Sequence, residues 1–164
     1  NEYKLSAEDL KVACQHLLVS RQKILILNNP NNPTGTVYSH DELAALAEVC
    51  REEGVIVMSD EIYALNNFSG SPFQGFSAVY PEGTIVTSGL SKGHSAGGYR
   101  LGMLAAPSNM RQVIQALVAM VSETFSAVSS PIQYAALRAY SDLKPVLEHA
   151  AQCTRVNARA ASYL

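Results

Sequence analysis

The sequence predicts an α/β domain in which helices flank a mostly parallel sheet. Short apolar runs rich in β-branched residues alternate along the chain with longer segments whose apolar residues recur at helical spacing. The short runs stop at clusters of Asn, Asp, Ser, Gly or Pro, the residues that favour turns. With 164 residues, 48% of them hydrophobic, the chain is long enough for one domain with its own core.

The first half of the chain opens with a predicted helix and a predicted strand. The helix has Ser6 as its N-cap residue and acidic side chains in its first turn. Its apolar residues recur at helical spacing and are Leu10, Ala13, Leu17 and Leu18. Residues 23–27 form a short apolar run that ends at an Asn/Pro cluster, so we expect a buried strand there.

The second helix is predicted to begin at Ser39, because Glu42 follows it at the spacing of a capping box. Its inward-facing residues are Leu43, Leu46, Ala47 and Cys50. Gly54 is expected to end this helix, since glycine readily takes the left-handed conformation that follows a helix. The apolar run 55–58 then predicts a buried strand that stops at Ser59 and Asp60.

The second half of the chain begins with a long loop. Residues 64–83 are rich in Asn, Ser, Gly and Pro, which is typical of a loop. A Gly-rich loop separates the two strands that follow, and Pro131 suits the first position of a helix. The remaining predicted elements are strands at 84–87 and 101–105 and helices over 110–121, over 131–140 and from Pro145 onward.

Composition and charge argue against several classes of function. The formal net charge is -2, which gives no basic footprint for nucleic acid and no polybasic patch for a membrane surface. The longest aliphatic run, Ile24–Leu27, is far too short to span a bilayer. Cys14, Cys50 and Cys153 lie too far apart for a metal or redox motif and fit small thiols in a reducing, cytoplasmic compartment. The chain starts without Met or a signal peptide, so we expect a piece cut from a longer protein.

Polar residues follow three of the predicted strands. Asn32, Asp60 and Lys92 each lie just after a strand. Ligands bind at the carboxyl ends of the strands in a parallel sheet, so we expect these three residues to converge on one crevice. We also expect the Asn32–Pro33 bond to be cis, because a rigid proline turn at a ligand site is a usual place for one.

The first two of these clusters have a structural and a functional interpretation. The turn at 28–35 could simply be a strand exit, or its prolines could hold Asn32 rigidly as a hydrogen-bond donor to a ligand anion. Asp60 could cap the next turn, or it could hold a ring nitrogen protonated through an ion pair. Glu61 is expected to face solvent or a structural partner.

Lys92 carries the sharpest chemical signal. A lysine in a loop is usually a solvated cation, but this one lies between stretches of small residues that allow a ligand to approach closely. A lysine that can lose its proton suits imine chemistry, and the guanidinium fork of Arg100, eight residues later, suits a phosphate group. His94 has no partner at metal-ligand spacing, so we expect no metal site and interpret His94 as a loop residue.

Taken in order, these motifs resemble those of the class I and II aminotransferases, the fold-type I pyridoxal-phosphate enzymes. The matching residues are Asn32-Pro33-Thr34-Gly35, Asp60, Tyr63, Ser91-Lys92 and Arg100. The resemblance covers roughly residues 20–140 and implies that residues 1–164 are part of the large cofactor-binding domain. Chains of this family are much longer, so an upstream segment and a C-terminal small domain would be missing.

The resemblance also assigns roles at a pyridoxal 5'-phosphate site. Lys92 would form the Schiff base with the cofactor and then shuttle a proton. Asp60 would pair with the pyridinium nitrogen, while Tyr63 and Asn32 would hydrogen-bond the phenolic oxygen of the cofactor. The implied catalytic residues are Lys92, Asp60 and Tyr63, and the implied cofactor-binding residues are Asn32, Asp60, Tyr63, Ser91, Lys92 and Arg100.

The phosphate contacts depart from the family pattern. By resemblance, Ser91 and Arg100 would bind the phosphate. Many members also have Ser three residues before the lysine, whereas this chain has Gly89 there, with Ser88 beside it. The contribution of Ser88 and Gly89 to phosphate binding therefore stays open.

The resemblance implies that the complete protein transfers an amino group between an amino acid and a 2-oxo acid. It also implies a homodimer, in which Thr124–Ser126 lies in the segment that reaches toward the neighbouring subunit. Residues 122–126 lack the Arg with which dicarboxylate-specific members bind the distal carboxylate, which weakens that substrate assignment. Two alternatives stay open: a carbon–sulfur lyase or synthase of the same fold, because these motifs do not choose the bond that breaks, and a catalytically silent fragment.

Overall fold

The computed structural model describes residues 3–17 and 21–163. These residues contain a four-stranded sheet in the order β1-β2-β3-β4. The strands are β1 (Lys23–Asn28), β2 (Val55–Asp60), β3 (Thr84–Gly89) and β4 (Gly102–Ala105). The first three strands pair in parallel, and β4 pairs with β3 in the antiparallel direction. The predicted α/β class with a mostly parallel sheet is confirmed.

The α-helices of the described residues also match the predicted ones. They are α1 (Ala7–Gln15), α2 (His40–Glu53), α3 (Arg111–Thr124), α4 (Ser130–Ser141) and α5 (Lys144–Ala161). The predicted loop at 64–83 is interrupted by three short 3-10 helices, which are Ala64–Asn66, Phe76–Ala78 and Pro81–Gly83. Each parallel strand runs one or two residues beyond its predicted end, because backbone pairing continues there, with β4 as the partner of the last residues of β3.

Side-chain caps set the ends of the first two helices. Ser6 Oγ accepts the N–H of Asp9 at 3.1 Å, and Ser39 Oγ accepts the N–H of Glu42 at 3.3 Å. Both caps are capping boxes, in which the acidic side chain returns to the backbone N–H of the serine. Gly54 ends α2 with φ 64, the left-handed conformation that was predicted for it.

Only part of the apolar set noted in the first predicted helix is buried in α1. The helix ends at Gln15, so Leu17 lies beyond it and is 52% exposed, while Leu18 lies outside the described residues. Ala13 is also exposed, and the buried positions are Leu10 and Cys14. Leu10 and Cys14 are four residues apart, so they lie on one face of the helix, and that face packs against α2.

The main core lies between the first two helices and the first two strands. The predicted inward face of α2 is buried throughout, and it joins residues of β2 and of the loop that follows it. The core residues include Leu10, Leu43, Leu46, Ala47, Cys50, Val55, Val57 and Phe76. A smaller cluster of Leu90, Leu101 and Ala136 joins the segment beside Lys92 to α4. Among the described helices, none is long and apolar enough to cross a membrane.

Candidate active site

The parallel pairing brings the three predicted polar clusters to one edge of the sheet. Asn28 at the end of β1 lies opposite Asp60 at the end of β2, and Asp60 lies opposite Thr87 near the end of β3. The chain leaves all three strands at this edge, toward Asn32, Tyr63 and Lys92 in turn. The predicted convergence of these segments at one edge is confirmed, because parallel strands end on the same side.

The turn after β1 is tied to itself by hydrogen bonds. The N–H of Asn31 bonds the carbonyl of Thr36, and the N–H of Gly35 bonds the carbonyl of Asn31, both at 2.9 Å. The side chain of Asn29 is buried and accepts the N–H of Tyr38 at 3.1 Å. The Asn32–Pro33 bond is cis, as predicted, and so is the Asn29–Pro30 bond. The turn therefore presents the side chain of Asn32 from an internally bonded loop.

Asn32, Tyr63 and Lys92 meet at one cavity of about 660 Å³, which Ser91 also lines. Asn32 Nδ2 donates a hydrogen bond to Tyr63 Oη at 2.9 Å. Lys92 Nζ lies over the ring of Tyr63, 5.6 Å from its centroid. A cavity of this volume falls within the range of small-molecule sites. A primary amine, a phenol and an amide thus share a cavity of the right size for a cofactor.

Asp60 lies beside this cavity and does not line it. Its Oδ1 accepts the N–H of Ile62 at 3.3 Å and the hydroxyl of Thr87 at 3.5 Å. Its Oδ2 accepts Asn28 Nδ2 at 3.3 Å. These three donors hold the carboxylate in one orientation.

Arg100 is not among the residues that line the cavity. It has φ 55, in the left-handed region, and its Nη1 donates to the carbonyl of Gly97 at 2.7 Å. Its side chain is exposed, and the remaining N–H groups of the guanidinium are available to a ligand. Ser88, which the sequence left open as a phosphate contact, instead hydrogen-bonds the phenol of Tyr140 on α4. Burial raises the pKa of Tyr140.

Glu61 contacts structural partners, which is one of the two outcomes that the sequence predicts for it. Ser59 Oγ donates to Glu61 Oε1 at 3.0 Å, and the backbone N–H of Phe76 also bonds the carboxyl group. Burial raises the pKa of Glu61 above its ordinary value. Glu61 therefore ties β2 to the loop that follows it.

Several residues at the cavity carry no signal in the sequence. Asn66 and Phe68 lie in the loop after Tyr63, Ser95 lies after Lys92, and Asn157 comes from the distant helix α5. No local pattern distinguishes these polar and aromatic residues from ordinary loop or helix surface. Among the described residues, no group of three or more His, Cys, Asp or Glu side chains is arranged to hold a metal ion.

His94 is a loop residue, as predicted, but it packs inward. Its ring meets the ring of Tyr140 edge-on, with centroids 4.9 Å apart. Both ring nitrogens are buried and have no hydrogen-bond partner within the described part of the chain. Burial lowers the pKa of His94, because the cation is harder to desolvate than the neutral ring.

Comparison with known proteins gives consistent matches. The family model described as aminotransferase class I and II matches residues 1–162. The aspartate aminotransferase of Geobacillus stearothermophilus is 37% identical over 155 residues, which are 93% of this chain and 38% of that protein. A probable aspartate/prephenate aminotransferase of Aquifex aeolicus is 35% identical over 87% of this chain and 35% of its own length.

Solved structures show the same likeness in three dimensions. A tetra mutant of the Thermus thermophilus aspartate aminotransferase superposes with a TM-score of 0.83 at 28% identity, over 94% of this chain and 40% of that one. The aromatic aminotransferase of Pyrococcus horikoshii gives 0.82 at 29% identity, with the same coverage of 94% and 40%. The chain therefore spans about two fifths of the length of the proteins it matches.

Proposed function

The chain belongs to the class I and II aminotransferase family, and from that premise we propose that it is the central part of a pyridoxal-phosphate-binding large domain. In the complete protein this part would serve amino-group transfer between an amino acid and a 2-oxo acid. The observation that carries the proposal is the shared cavity of Lys92, Tyr63 and Asn32. Pyridoxal phosphate, when bound, supplies an aldehyde that condenses with amines and a ring that withdraws electrons from the substrate α-carbon.

The donor set at the cavity fits that cofactor. Asn32 donates to Tyr63 Oη at 2.9 Å, so the phenol keeps its own hydrogen free to donate to an anionic oxygen of a ligand. Asp60, oriented by its three donors, is a carboxylate partner for a protonated ring nitrogen. These residues would hold the two polar sides of the pyridine ring.

Lys92 is the proposed catalytic amine. Its Nζ is the only lysine amine that lines the cavity among the described residues, and a neutral amine is a nucleophile toward an aldehyde. Once the substrate amine has taken the place of Lys92 on the cofactor, the same Nζ would carry a proton from the substrate α-carbon to the C4′ carbon of the cofactor. Ser91, next in the chain, would donate its hydroxyl to the phosphate, together with Arg100.

The substrates are proposed by their chemical class. Proteins similar to this chain include an aspartate aminotransferase and an aromatic aminotransferase, so aspartate is the first amino donor to assay and an aromatic amino acid the second. The missing Arg in residues 122–126 makes the aromatic donor an informative comparison. A homodimer is proposed as the assembly, with Phe125 near the neighbouring subunit.

The test is borohydride reduction of the complete protein with pyridoxal phosphate, followed by peptide mapping. Reduction makes the link between cofactor and lysine permanent, so the adduct is expected on the peptide that contains Lys92. Lys92→Ala should lose the adduct and the turnover together, whereas Lys144→Ala, at the exposed start of α5, should lose neither. An adduct on another lysine, with Lys92 unmodified, would contradict the assignment.

A second assay separates transfer from cleavage. Turnover that depends on added 2-oxo acid supports an aminotransferase, because the amino group must be passed to an acceptor. Release of thiol and ammonia from a sulfur-containing amino acid, without any 2-oxo acid, would instead support the carbon–sulfur lyase alternative.

A further inference from the structure

Asn28 ends β1 at the point where two residues of the candidate site approach each other. Its backbone lies opposite Asp60 in the register of β1 and β2, and Asn32 follows it by four residues in the turn. The side chain is half-buried and is not among those that line the cavity. Asn28 therefore has no place among the groups proposed to touch the cofactor.

The two ends of the Asn28 side chain bond to two different partners. Asn28 Oδ1 accepts the backbone N–H of Asn32 at 2.8 Å. Asn28 Nδ2 donates to Asp60 Oδ2 at 3.3 Å and to the main-chain oxygen of Asp60 at 3.2 Å. A backbone N–H can only donate, so the atom that meets Asn32 must be the amide oxygen, and the nitrogen must face Asp60.

We propose that Asn28 is a positioning residue that holds the Asp60 carboxylate and the Asn32 turn in a fixed relation to each other. This proposal rests on the proposed function, because it takes Asp60 and Asn32 as cofactor-binding residues. Asn32 in turn bonds Tyr63, so a continuous set of hydrogen bonds runs from Asp60 through Asn28 and Asn32 to Tyr63. Asn28 thereby links the group on one side of the pyridine ring to the groups on the other.

An amide suits this place because it combines one donor end and one acceptor end at a fixed separation. Aspartate in its ionised form has no donor for Asp60 and would add a like charge beside it, although it keeps an oxygen for the N–H of Asn32. Alanine has neither group. Substitution at position 28 can therefore remove the Asp60 contact alone or both contacts together.

The experiment is a pair of double-mutant cycles on the complete protein, with the dissociation constant of pyridoxal phosphate as the readout. Asn28→Ala is expected to raise that constant about tenfold, the loss of more than one ordinary hydrogen bond. In an Asp60→Asn background, and separately in an Asn32→Ala background, the same substitution should raise it by about threefold or less. A residue that served only general stability would give the same factor in every background.

Asn28→Asp separates the two contacts and guards against a misfolded alanine variant. It should keep its coupling to Asn32 and lose its coupling to Asp60. Asn109→Ala is the matched control: it removes a single hydrogen bond, to the carbonyl of Glu82 before the amino end of β3, and should leave cofactor affinity unchanged.

The outcomes distinguish this inference from the proposed function. If the unsubstituted protein neither binds pyridoxal phosphate nor gives a borohydride adduct on Lys92, the proposed function fails. If it does both, and Asn28→Ala has no effect or an equal effect in all three backgrounds, the positioning role of Asn28 alone is overturned.

Discussion

Gly93 lies directly after Lys92 and is buried against the loop that follows Tyr63. A Cβ at this position would lie 2.7 Å from Leu65 Cδ1 and 2.8 Å from Leu65 Cβ. Leu65 belongs to the short 3-10 helix Ala64–Asn66, which begins right after Tyr63. The missing side chain at position 93 thus lets the lysine loop come close to the segment that carries the phenol.

Gly93→Ala should push these two segments apart and weaken cofactor binding by about tenfold, since each side must shift to admit the methyl group. Titration of the complete protein with pyridoxal phosphate measures the effect. Gly98→Ala is the control in the same loop, because a Cβ there has nothing within 4 Å. Equal affinity of the two variants would contradict this explanation of the close approach.

Gly89, three residues before Lys92, lies too close to a neighbouring segment to carry a side chain. A Cβ at Gly89 would lie 2.6 Å from the carbonyl oxygen of Leu101, a backbone atom of the segment leading into β4. The same oxygen accepts the N–H of Leu90 at 3.2 Å. A serine at position 89 does not fit while this backbone contact is kept.

Gly89→Ser should therefore destabilise the protein by about 1–3 kcal/mol, the usual cost of overpacking. Urea unfolding measures the change. Gly102→Ala in β4 is the matched control, since its Cβ would lie an ordinary 3.7 Å from the carbonyl of Ser88. A Gly89→Ser variant as stable as the unsubstituted protein would mean that the strands part easily at this point.

At the scale of elements, the loop after Lys92 is held against α4 by apolar contacts. Leu90 and Leu101 are buried with Ala136, and His94 packs edge-on against Tyr140. This packing supports the lysine loop from the side of α4. The two buried ring nitrogens of His94, which have no hydrogen-bond partner among the described residues, reduce the stability gained from this packing.

His94→Phe should stabilise the protein by about 1 kcal/mol at neutral pH, because it keeps the ring contact and removes the buried polar atoms. The pKa of His94 is lowered by burial, so the folded state binds its proton less tightly than the unfolded state. The stability that depends on neutral His94 is therefore lost as pH falls below about 6.5, the ordinary value for histidine. The advantage of His94→Phe should grow between about pH 7.5 and pH 5.5.

Urea unfolding at the two pH values tests this prediction. His16→Phe, at the exposed C-cap of α1, is the control and should change stability by less than about 0.5 kcal/mol. A His94→Phe variant with the same pH dependence as the unsubstituted protein would show that His94 does not titrate with unfolding.

At the scale of the whole molecule, large apolar side chains lie open on two surfaces. Ile26 on the outer strand β1 is 71% exposed, and Phe125 at the end of α3 is 61% exposed. The chain spans about two fifths of the length of the relatives it matches. Under the proposed function, these surfaces would therefore be part of a larger protein. Phe125 lies in the segment that, by the family resemblance, would reach toward a second subunit.

Phe125→Asp should weaken the proposed homodimer of the complete protein by at least about tenfold, because it would bury a charge in the interface. Val12→Asp, on an exposed position of α1, is the control and should leave the dimer intact. Sedimentation at micromolar concentration measures both variants. A complete protein that is monomeric under these conditions would contradict the shared-site assembly.

The sequence by itself determined the elements and the order of the chemical motifs. The capping serines Ser6 and Ser39 and the glycine at position 54 act on backbone groups within a few residues, so they can be read locally. The polar residues after each apolar run were likewise visible, and the parallel pairing was enough to bring them to one edge.

Only the tertiary structure decided which of those polar groups meet. It brought Asn32 onto Tyr63, gave Asp60 its donor from Asn28, and brought Asn157 of α5 to the cavity. It also decided the antiparallel direction of β4 and the contact that excludes a side chain at Gly89. The physical reason is that such contacts join residues far apart in the chain, where distance depends on the packing of whole elements and local propensity carries no information.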